Sequence, residues 1–447
     1  MLTHRRMLRW QVLILSLMVV GYSGYYLCRS NFSVALPMII QDLGTHGVAP
    51  DLAKIRLGLI ASLGVLAYAV GKFIAGGLSD FLGGRRTFLG GMAGSVLFTV
   101  GFALSGGIPL FTLAWIGNRL VQSFGWAGMV KISSRWFSYS SYGTVMGIVS
   151  LSFLFGDAAS RQFLAVLIAH GFGWREIFFT AAGVLVAILI LNAVLLKENP
   201  GEIGEAEPQA NPQNLFAGSD GDSAPMSLRS LLGTLLHSRV FLLVCLLSVG
   251  LTLVRETFNL WTPTYFAQAV GLSNADAAQK SALFPLFGGI SVLLAGYVSD
   301  RLGKGARAAI ILFGLLLAGL TLLLLGYGDF GGSRIWPVWL TALVAFLMIG
   351  PYSYLAGAIA LDFGGKRGSA TISGIIDGSG YLGGVLAGDS MARISVAYGW
   401  RGAFVVLAAV CWILSLAAAV FWLNQRRVPV AVAVAEEVRQ CANVPKS

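Results

Sequence analysis

The stretch Gly76-Gly-Leu-Ser-Asp80-Phe-Leu-Gly-Gly-Arg85-Arg86 decides the fold, because the chain repeats it 220 residues later as Gly296-Tyr-Val-Ser-Asp300-Arg301-Leu-Gly303. Each copy follows an apolar block, and its glycines permit a tight turn. An aspartate in such a turn accepts hydrogen bonds from a helix N-terminus or an arginine, in a contact that can hold one conformation and break in another. The alternative is a plain polar turn, but the second copy favours the switching motif.

Two other motif pairs recur at almost the same separation. Arg29 is followed eight residues later by Pro37, as Arg255 is by Pro263, and both pairs are 226 residues apart. The tripeptide that begins at Gly173 likewise recurs at Gly399. Three matches in one order imply that the chain consists of two related halves.

The composition is typical of a protein that lies in a membrane. Hydrophobic residues make up 56% of the 447 residues and charged residues only 11%, whereas a soluble domain carries roughly 25% charged residues. The apolar residues fall in blocks of roughly 20, the length that a helix needs to cross a bilayer. The net charge of +11 comes mostly from short segments between these blocks, so membrane topology explains it and no nucleic-acid partner is expected.

The apolar blocks predict an all-α membrane protein with twelve transmembrane helices in two pseudo-symmetric six-helix bundles. The helices are expected near residues 10–40, 54–78, 87–106, 109–131, 143–170, 174–196, 238–270, 277–299, 307–327, 335–361, 370–397 and 401–424. The polar, proline-containing stretch 197–237 is predicted to be a linker between an N-terminal bundle, 1–196, and a C-terminal bundle, 238–427, with a tail at 428–447.

The basic residues predict the orientation. With a cytoplasmic N-terminus, the cytoplasmic side receives Arg5, Arg6, Arg9, Arg85, Arg86, Lys131, Arg135, Arg301, Lys304, Arg307, Lys366, Arg367, Arg426 and Arg427. The opposite side receives only Lys54, Arg56, Arg175, Lys280, Arg334 and Arg401. This excess predicts a multi-pass protein of the inner (plasma) membrane with both termini, linker and tail in the cytoplasm.

Two arginines are expected at mid-membrane. Arg29 lies too deep in its block to reach the cytoplasmic surface, and Arg255 is placed similarly in the second half. Such an arginine costs at least about 2.5 kcal/mol. Facing each other across a cavity, the two would favour a dianion, since guanidinium groups bind phosphate oxygens in bidentate geometry. The alternative is pairing with acidic neighbours, for which Glu256 is poorly placed because it lies about 100° around the helix from Arg255.

Polar stripes accompany both arginines. Tyr22 and Tyr26 share a helix face with Arg29, and Asn259 shares one with Arg255. Such stripes should face water or substrate, although tyrosines also suit packing or the membrane interface. Lys72, deep in the second helix, either adds to the positive field of the cavity or pairs with an acid.

Three acidic residues within apolar blocks have different expected roles. Asp157 precedes Arg161 by four residues, as Asp389 precedes Arg393, and this spacing favours intrahelical ion pairs. Asp377 has no basic neighbour at that spacing. It either relays protons or balances a cavity arginine, and Asp157 is open to a cavity role as well.

The loop motif resembles the signature of the major facilitator superfamily, and the first helix resembles the organophosphate:phosphate antiporters. That helix contains Gly21-Tyr22-Ser-Gly-Tyr25-Tyr26-Leu-Cys-Arg29-Ser-Asn31-Phe32-Ser-Val-Ala-Leu-Pro37. Further matches, in order, are Tyr68-Ala-Val-Gly-Lys72-Phe73, Gln122-Ser-Phe-Gly125-Trp126, Arg255 with Trp261-Thr-Pro263-Thr-Tyr265, and Gly380-Tyr381-Leu-Gly-Gly384.

The resemblance implies alternating access and exchange of inorganic phosphate for a phosphate ester. The family's phosphate-binding and site residues fall on Arg29, Arg255, Tyr22, Tyr26, Tyr381 and Lys72. Arg119, three residues before Gln122, resembles a superfamily motif linked to gating and coupling. The family's helix-five histidine falls on Gly156 and its nearby asparagine on Phe153, so the surroundings of the arginine pair differ and the substrate can differ too.

Three functions therefore stay open. The first is exchange of a small phosphorylated organic anion, such as a sugar phosphate, glycerol phosphate or phosphoglycerate, for inorganic phosphate. The second is proton-coupled uptake of a carboxylate through Asp157 or Asp377, and the third is a transporter-like sugar-phosphate sensor. An enzyme, a cofactor and a metal are not expected, since the chain has no Walker A loop, nucleophile elbow or metal-ligand spacing. A monomer in the bilayer is expected.

Overall fold

The computed structural model describes residues 2–206, 208, 235, 237–302 and 306–442, and every structural statement below concerns these residues. The first half contains the helices α1 Leu2–Thr45, α2 Pro50–Leu82, α3 Gly84–Leu104, α4 Ile108–Trp136, α5 Tyr139–Ala169 and α6 Trp174–Leu195. The second half contains α7 Arg239–Gln268, α8 Asn274–Ser281, α9 Leu283–Leu302, α10 Ala306–Tyr327, α11 Ile335–Tyr354, α12 Ala360–Leu386 and α13 Asp389–Ala442. A short 3-10 helix, Pro200–Ile203, follows the first half, and a π-helical segment, Leu355–Ile359, joins α11 to α12.

The described helices agree with twelve membrane crossings. Ten segments are long and apolar enough to span a bilayer, and one of them, Ile372–Asn424, has 53 residues. This segment is too long for one crossing and breaks at Gly399, whose φ of 66° is outside the helical range. The remaining crossing is α4, which has 29 residues and packs against α2 and α3. The predicted all-α membrane fold is confirmed.

Two predicted helices differ in detail from the structure. The segment expected at 277–299 is divided into α8 and α9, with Ala282 between them in a turn. The segment expected at 335–361 changes from an α-helix to a π-helix at Leu355. Local changes in helical pitch leave the apolar pattern unaltered, so a pattern of hydrophobicity does not reveal them.

The two halves meet along three sets of helices. These contacts join α1 to α7, α2 to α12 and α13, and α5 to α8 and α9. Beside its polar stripe, α1 carries Phe32, which is fully buried and has its ring centroid 4.3 Å from that of Trp115 in the first half. The stripe itself reaches the second half, where Ser33 donates hydrogen bonds to the carbonyls of Asn259 and Leu260 at 2.7 and 2.8 Å.

Candidate functional site

A cavity of about 1300 Å³ lies between the two halves. It extends to Ser79 and Lys131, near the C-terminal ends of α2 and α4, and therefore toward the end of the molecule at which α1 begins. The cavity brings together the predicted site residues Tyr22, Tyr26, Arg29, Lys72, Arg119, Asp157, Arg161, Arg255, Asn259, Asp377 and Tyr381. Helical spacing had predicted the lining faces of α1 and α7, whereas Arg119 and Tyr381 were assigned from the family resemblance.

Arg29 enters the cavity with aromatic rather than acidic neighbours. Its Nη1 donates to the hydroxyl of Tyr26 at 3.3 Å, and its Cζ lies 5.1 Å from the ring centroids of both Tyr26 and Tyr68. No carboxylate among the described residues lies within 4.0 Å of its guanidinium nitrogens. The positive charge of Arg29 is therefore balanced by no described ion pair.

Tyr68 is a site residue that the sequence argument did not single out. Its ring centroid lies 5.1 Å from Arg29 Cζ, 4.7 Å from Arg119 Cζ and 5.6 Å from Lys72 Nζ. The electron-rich face of an aromatic ring attracts cations at such distances. Its position one helical turn before Lys72 was the available signal, since residues four apart share a helix face.

The interpretation of Glu256 as a poor partner for Arg255 is wrong. Glu256 Oε1 lies 2.9 Å from Arg255 Nη2. The angle of about 100° between neighbours separates their Cβ atoms, but both side chains are long and bend into the same cavity. The guanidinium of Arg255 also lies 4.6 Å from the ring centroid of Tyr352, and its Nε has no hydrogen-bond partner.

Lys72 and Asp377 form an ion pair between the two halves. Lys72 Nζ lies 2.6 Å from Asp377 Oδ2 and 4.9 Å from the ring centroid of Tyr381. Of the alternatives left open for Lys72, the structure shows pairing with an acid. Asp377 is therefore not a lone carboxylate, and its partner comes from 305 residues away in the sequence.

The centre of the cavity carries an excess of positive charge. It contains the cations Arg29, Lys72, Arg119 and Arg255 and the carboxylates Glu256 and Asp377. Two formal positive charges remain uncompensated among these six side chains. A cleft of one sign with apolar walls concentrates its field, so the arrangement attracts small anions.

The end of the cavity opposite the termini is closed by a buried polar network. Arg161 Nε lies 2.9 Å from Asp157 Oδ1, and Ser30 donates a short hydrogen bond to the same oxygen. Arg161 also donates to the Ser281 hydroxyl at 3.1 Å and to the Asn259 carbonyl at 2.8 Å, both in the second half. The predicted pair Asp157–Arg161 is confirmed, and it joins the halves.

Lys54 closes the same end by a second contact. Its Nζ lies 4.0 Å from a ring centroid of Trp400 and 5.8 Å from one of Trp261, and it donates to Gln268 Oε1 at 3.4 Å. Lys54 is in the first half and all three partners are in the second. A lysine that the sequence analysis counted only for orientation thus lies at the closed interface.

Gly388 allows the halves to approach backbone to backbone at this end. A Cβ atom on Gly388 would lie 2.3 Å from the Gly58 carbonyl oxygen and 2.4 Å from the Ser62 hydroxyl. Gly388→Ala is therefore expected to disfavour this closed arrangement by about 1–3 kcal/mol, as overpacking does. In a cysteine-replaced background, a cysteine at position 62 should then react faster with an impermeant maleimide added from that side.

Gly90→Ala is the matched control for that substitution, because a Cβ at Gly90 would meet no atom within 4 Å. Unchanged labelling and transport in Gly388→Ala would contradict the assigned close approach.

Over residues 18–388 the chain matches the model of the Major Facilitator Superfamily. The chain belongs to this superfamily. A probable hexose phosphate transport protein of Chlamydia trachomatis is 28% identical over 424 residues, with 91% of this chain and 90% of the relative covered. The glycerol-3-phosphate transporter of Bacillus subtilis is 27% identical, with 91% of each chain covered, and the membrane sensor protein UhpC of Escherichia coli is 26% identical, also with 91% of each chain covered.

The solved structures agree on the fold. A bacterial homologue of the human lysosomal transporter Spinster, in an inward-facing and unoccupied conformation, matches with a TM-score of 0.73 at 15% identity, covering 93% of this chain and 97% of that one. The expected resemblance to phosphate-ester transporters is confirmed by the relatives. The chain is therefore a member of a membrane transporter superfamily and not an enzyme.

The backbone of the first loop motif is held by Glu198. Glu198, just after α6, accepts hydrogen bonds from the backbone N–H groups of Gly84 at 2.8 Å and Arg85 at 2.5 Å, and so caps α3. The Arg85 guanidinium donates to the Ala193 carbonyl at 2.6 Å. These contacts stay within the first half and tie α3 to the end of α6.

The second copy of the motif is described only in part. The Arg301 guanidinium lies 5.0 Å from the ring centroid of Tyr297. The side chains of Asp80 and Asp300 lie outside the described residues. The switching role of the motif therefore stays a prediction.

Proposed function

We propose that this superfamily member is a secondary active transporter that exchanges a small phosphorylated organic anion for inorganic phosphate by alternating access. The observation that carries the proposal is that Arg29 and Arg255, one from each half, line a single cavity. Relatives named as hexose phosphate and glycerol-3-phosphate transporters support a phosphorylated substrate.

The charge of the cavity favours a dianion. A phosphate group that contacts both arginines would neutralise the two uncompensated charges and would attract both halves. Guanidinium N–H groups form bidentate, charge-assisted hydrogen bonds with phosphate oxygens. Exchange follows because closing the empty cavity would enclose unbalanced positive charge in a low dielectric, which is costly.

The other cavity residues have proposed roles beside the arginine pair. Tyr22, Tyr26, Tyr381 and Asn259 offer hydrogen-bonding groups for the organic part of the ester, and Lys72 strengthens the field at the phosphate. Arg119, Asp157, Arg161 and Asp377 act in coupling or gating, with Asp80, Arg85, Asp300 and Arg301 of the loop motifs.

The cellular setting follows from the same proposal. The protein acts as a monomer in the inner membrane with both termini in the cytoplasm, so that the open end of the cavity faces the cytoplasm. Conversion to the opposite state requires the Arg161 network and the Lys54 contacts to separate while the cytoplasmic end closes.

The decisive experiment is counterflow in proteoliposomes that contain labelled inorganic phosphate. Adding an external hexose phosphate, glycerol phosphate or phosphoglycerate is expected to release the label, whereas carboxylates and buffer are not. Uptake of a carboxylate driven by a pH gradient into phosphate-free vesicles would instead support the proton-coupled function.

A sensor is the second candidate, because UhpC matches as much of the chain as the transporters do. A sensor would bind a sugar phosphate in detergent solution and release no label from loaded vesicles. Measuring both binding and counterflow on one preparation separates the two functions.

A further inference from the structure

Glu256 pairs with Arg255, a cation that a bound anion would also contact. Its Oε1 lies 2.9 Å from Arg255 Nη2, and both side chains line the central cavity rather than a helix interface. They are 14% and 17% exposed, so the pair is largely buried at the cavity wall. A carboxylate of the chain itself is therefore in contact with one of the two arginines.

The contact between Glu256 and Arg255 leaves much of the guanidinium unused. One nitrogen of Arg255 contacts one oxygen of Glu256, and the buried Nε has no hydrogen-bond partner among the described residues. A guanidinium has five N–H donors in a fork that fits two parallel hydrogen bonds to a phosphate. A phosphate can thus form more hydrogen bonds to Arg255 than Glu256 does.

The two arginines differ in this respect. Arg29 has the neutral hydroxyl of Tyr26 as its partner, and among the described residues no carboxylate lies within 4.0 Å of it. An entering anion therefore meets one arginine that is free of an ion pair and one that is already paired. Only at Arg255 must an existing ionic contact be exchanged for a new one.

We propose that Glu256 competes with the substrate for Arg255. Glu256 pairs with Arg255 before the substrate binds, and the anionic group of the substrate displaces it. This inference rests on the proposed function. The displaced carboxylate stays in the cavity and repels the bound anion, so it lowers affinity and speeds release. An exchanger must release its anion at each side of the membrane, and interactions that only tighten ground-state binding do not raise its turnover.

Binding of inorganic phosphate to the purified protein tests this proposal. Glu256→Gln is expected to lower the Kd for labelled phosphate at least about tenfold, because the ion pair is replaced by a weaker hydrogen bond to a neutral amide oxygen and the carboxylate no longer repels the bound anion. In proteoliposomes the same variant should show a lower KM and a lower maximal rate of phosphate–phosphate exchange. A purely structural role would lower the rate without lowering the KM.

Two further variants serve as controls. Asp389→Asn removes a carboxylate that pairs with Arg393 outside the cavity, and it is expected to leave the Kd unchanged. Glu256→Asp keeps the charge but is one methylene shorter, so it should weaken the contact with Arg255 and tighten phosphate binding by less than the glutamine does. It replaces Glu256→Gln if that variant fails to fold.

The outcomes distinguish the two proposals. If the wild-type protein binds no phosphate and exchanges none, the proposed function fails. If the wild type binds phosphate but Glu256→Gln, or Glu256→Asp in its place, binds it no more tightly, Glu256 is not a competitor and the proposed function stands. Tighter binding combined with slower exchange supports both.

Discussion

Replacing Arg29 or Arg255 by lysine is expected to reduce phosphate exchange in proteoliposomes about 10- to 100-fold, because lysine cannot present two parallel donors and each charge-assisted hydrogen bond that is lost contributes about 1.5–3 kcal/mol. Both arginines line the cavity, one from α1 and one from α7. Lysine keeps the positive charge, so the loss of exchange rate reports the bidentate geometry of the guanidinium rather than the electrostatic field of the cavity. Initial rates of labelled-phosphate exchange, normalised to reconstituted protein, give the comparison.

Arg393→Lys is the matched control for the two arginine variants. Arg393 forms an ion pair with Asp389 at 2.8 Å, but its side chain is 60% exposed and does not line the cavity. Exchange by this variant should stay close to the wild-type rate. Wild-type exchange in Arg29→Lys or Arg255→Lys would show that the pair does not bind the transported anion.

Asp157→Asn is expected to destabilise the protein by about 3 kcal/mol, since removal of one partner leaves a buried charge uncompensated. The side chains of Asp157 and Arg161 are only 9% and 3% exposed. Arg161 also donates to the Asn259 carbonyl and the Ser281 hydroxyl, so its misplacement should weaken closure between the halves. The midpoint of thermal unfolding in detergent and the exchange rate should both fall.

The chain supplies an internal comparison for this effect. Asp389 and Arg393 form an ion pair at the same i, i+4 spacing, but the Arg393 side chain is 60% exposed, and solvent screening leaves such a pair little effect on stability. Asp389→Asn should therefore change the unfolding midpoint little. The double variant Asp157→Leu/Arg161→Met should recover much of the stability, because replacing both partners of a buried pair is often neutral. If Asp157→Asn and Asp389→Asn lowered the unfolding midpoint equally, the difference assigned here between the buried and the exposed ion pair would be wrong.

The fold and the lining of the site could be predicted because they depend on periodicity within single helices. Arg29 with Tyr22 and Tyr26, and Arg255 with Asn259, were assigned to cavity faces by their spacing, and the structure places all five on one cavity. A polar stripe on an apolar helix must avoid lipid. Which face of α1 and of α7 lines the cavity therefore follows from the spacing of polar residues within each helix.

Partnerships across helices could not be predicted in the same way. Lys72 and Asp377 are 305 residues apart, and no spacing rule relates them. Glu256 was rejected as a partner because the rule concerns Cβ directions, whereas two long side chains can bend toward each other in an open cavity. The spacing of Tyr68 and Lys72 offered one signal, but the contacts of Tyr68 with Arg29 and Arg119 join different helices and no spacing rule predicts them.

The single tyrosine ring shared by three cations makes their contributions interdependent. Arg29, Arg119 and Lys72 all lie within 5.6 Å of the Tyr68 ring centroid, so the substitution of one of them changes the electrostatic surroundings of the other two. Effects measured one residue at a time will not sum to the effect of a combined variant. Thermodynamic cycles that include Tyr68→Phe and Tyr68→Leu are the means of apportioning energy within this cluster.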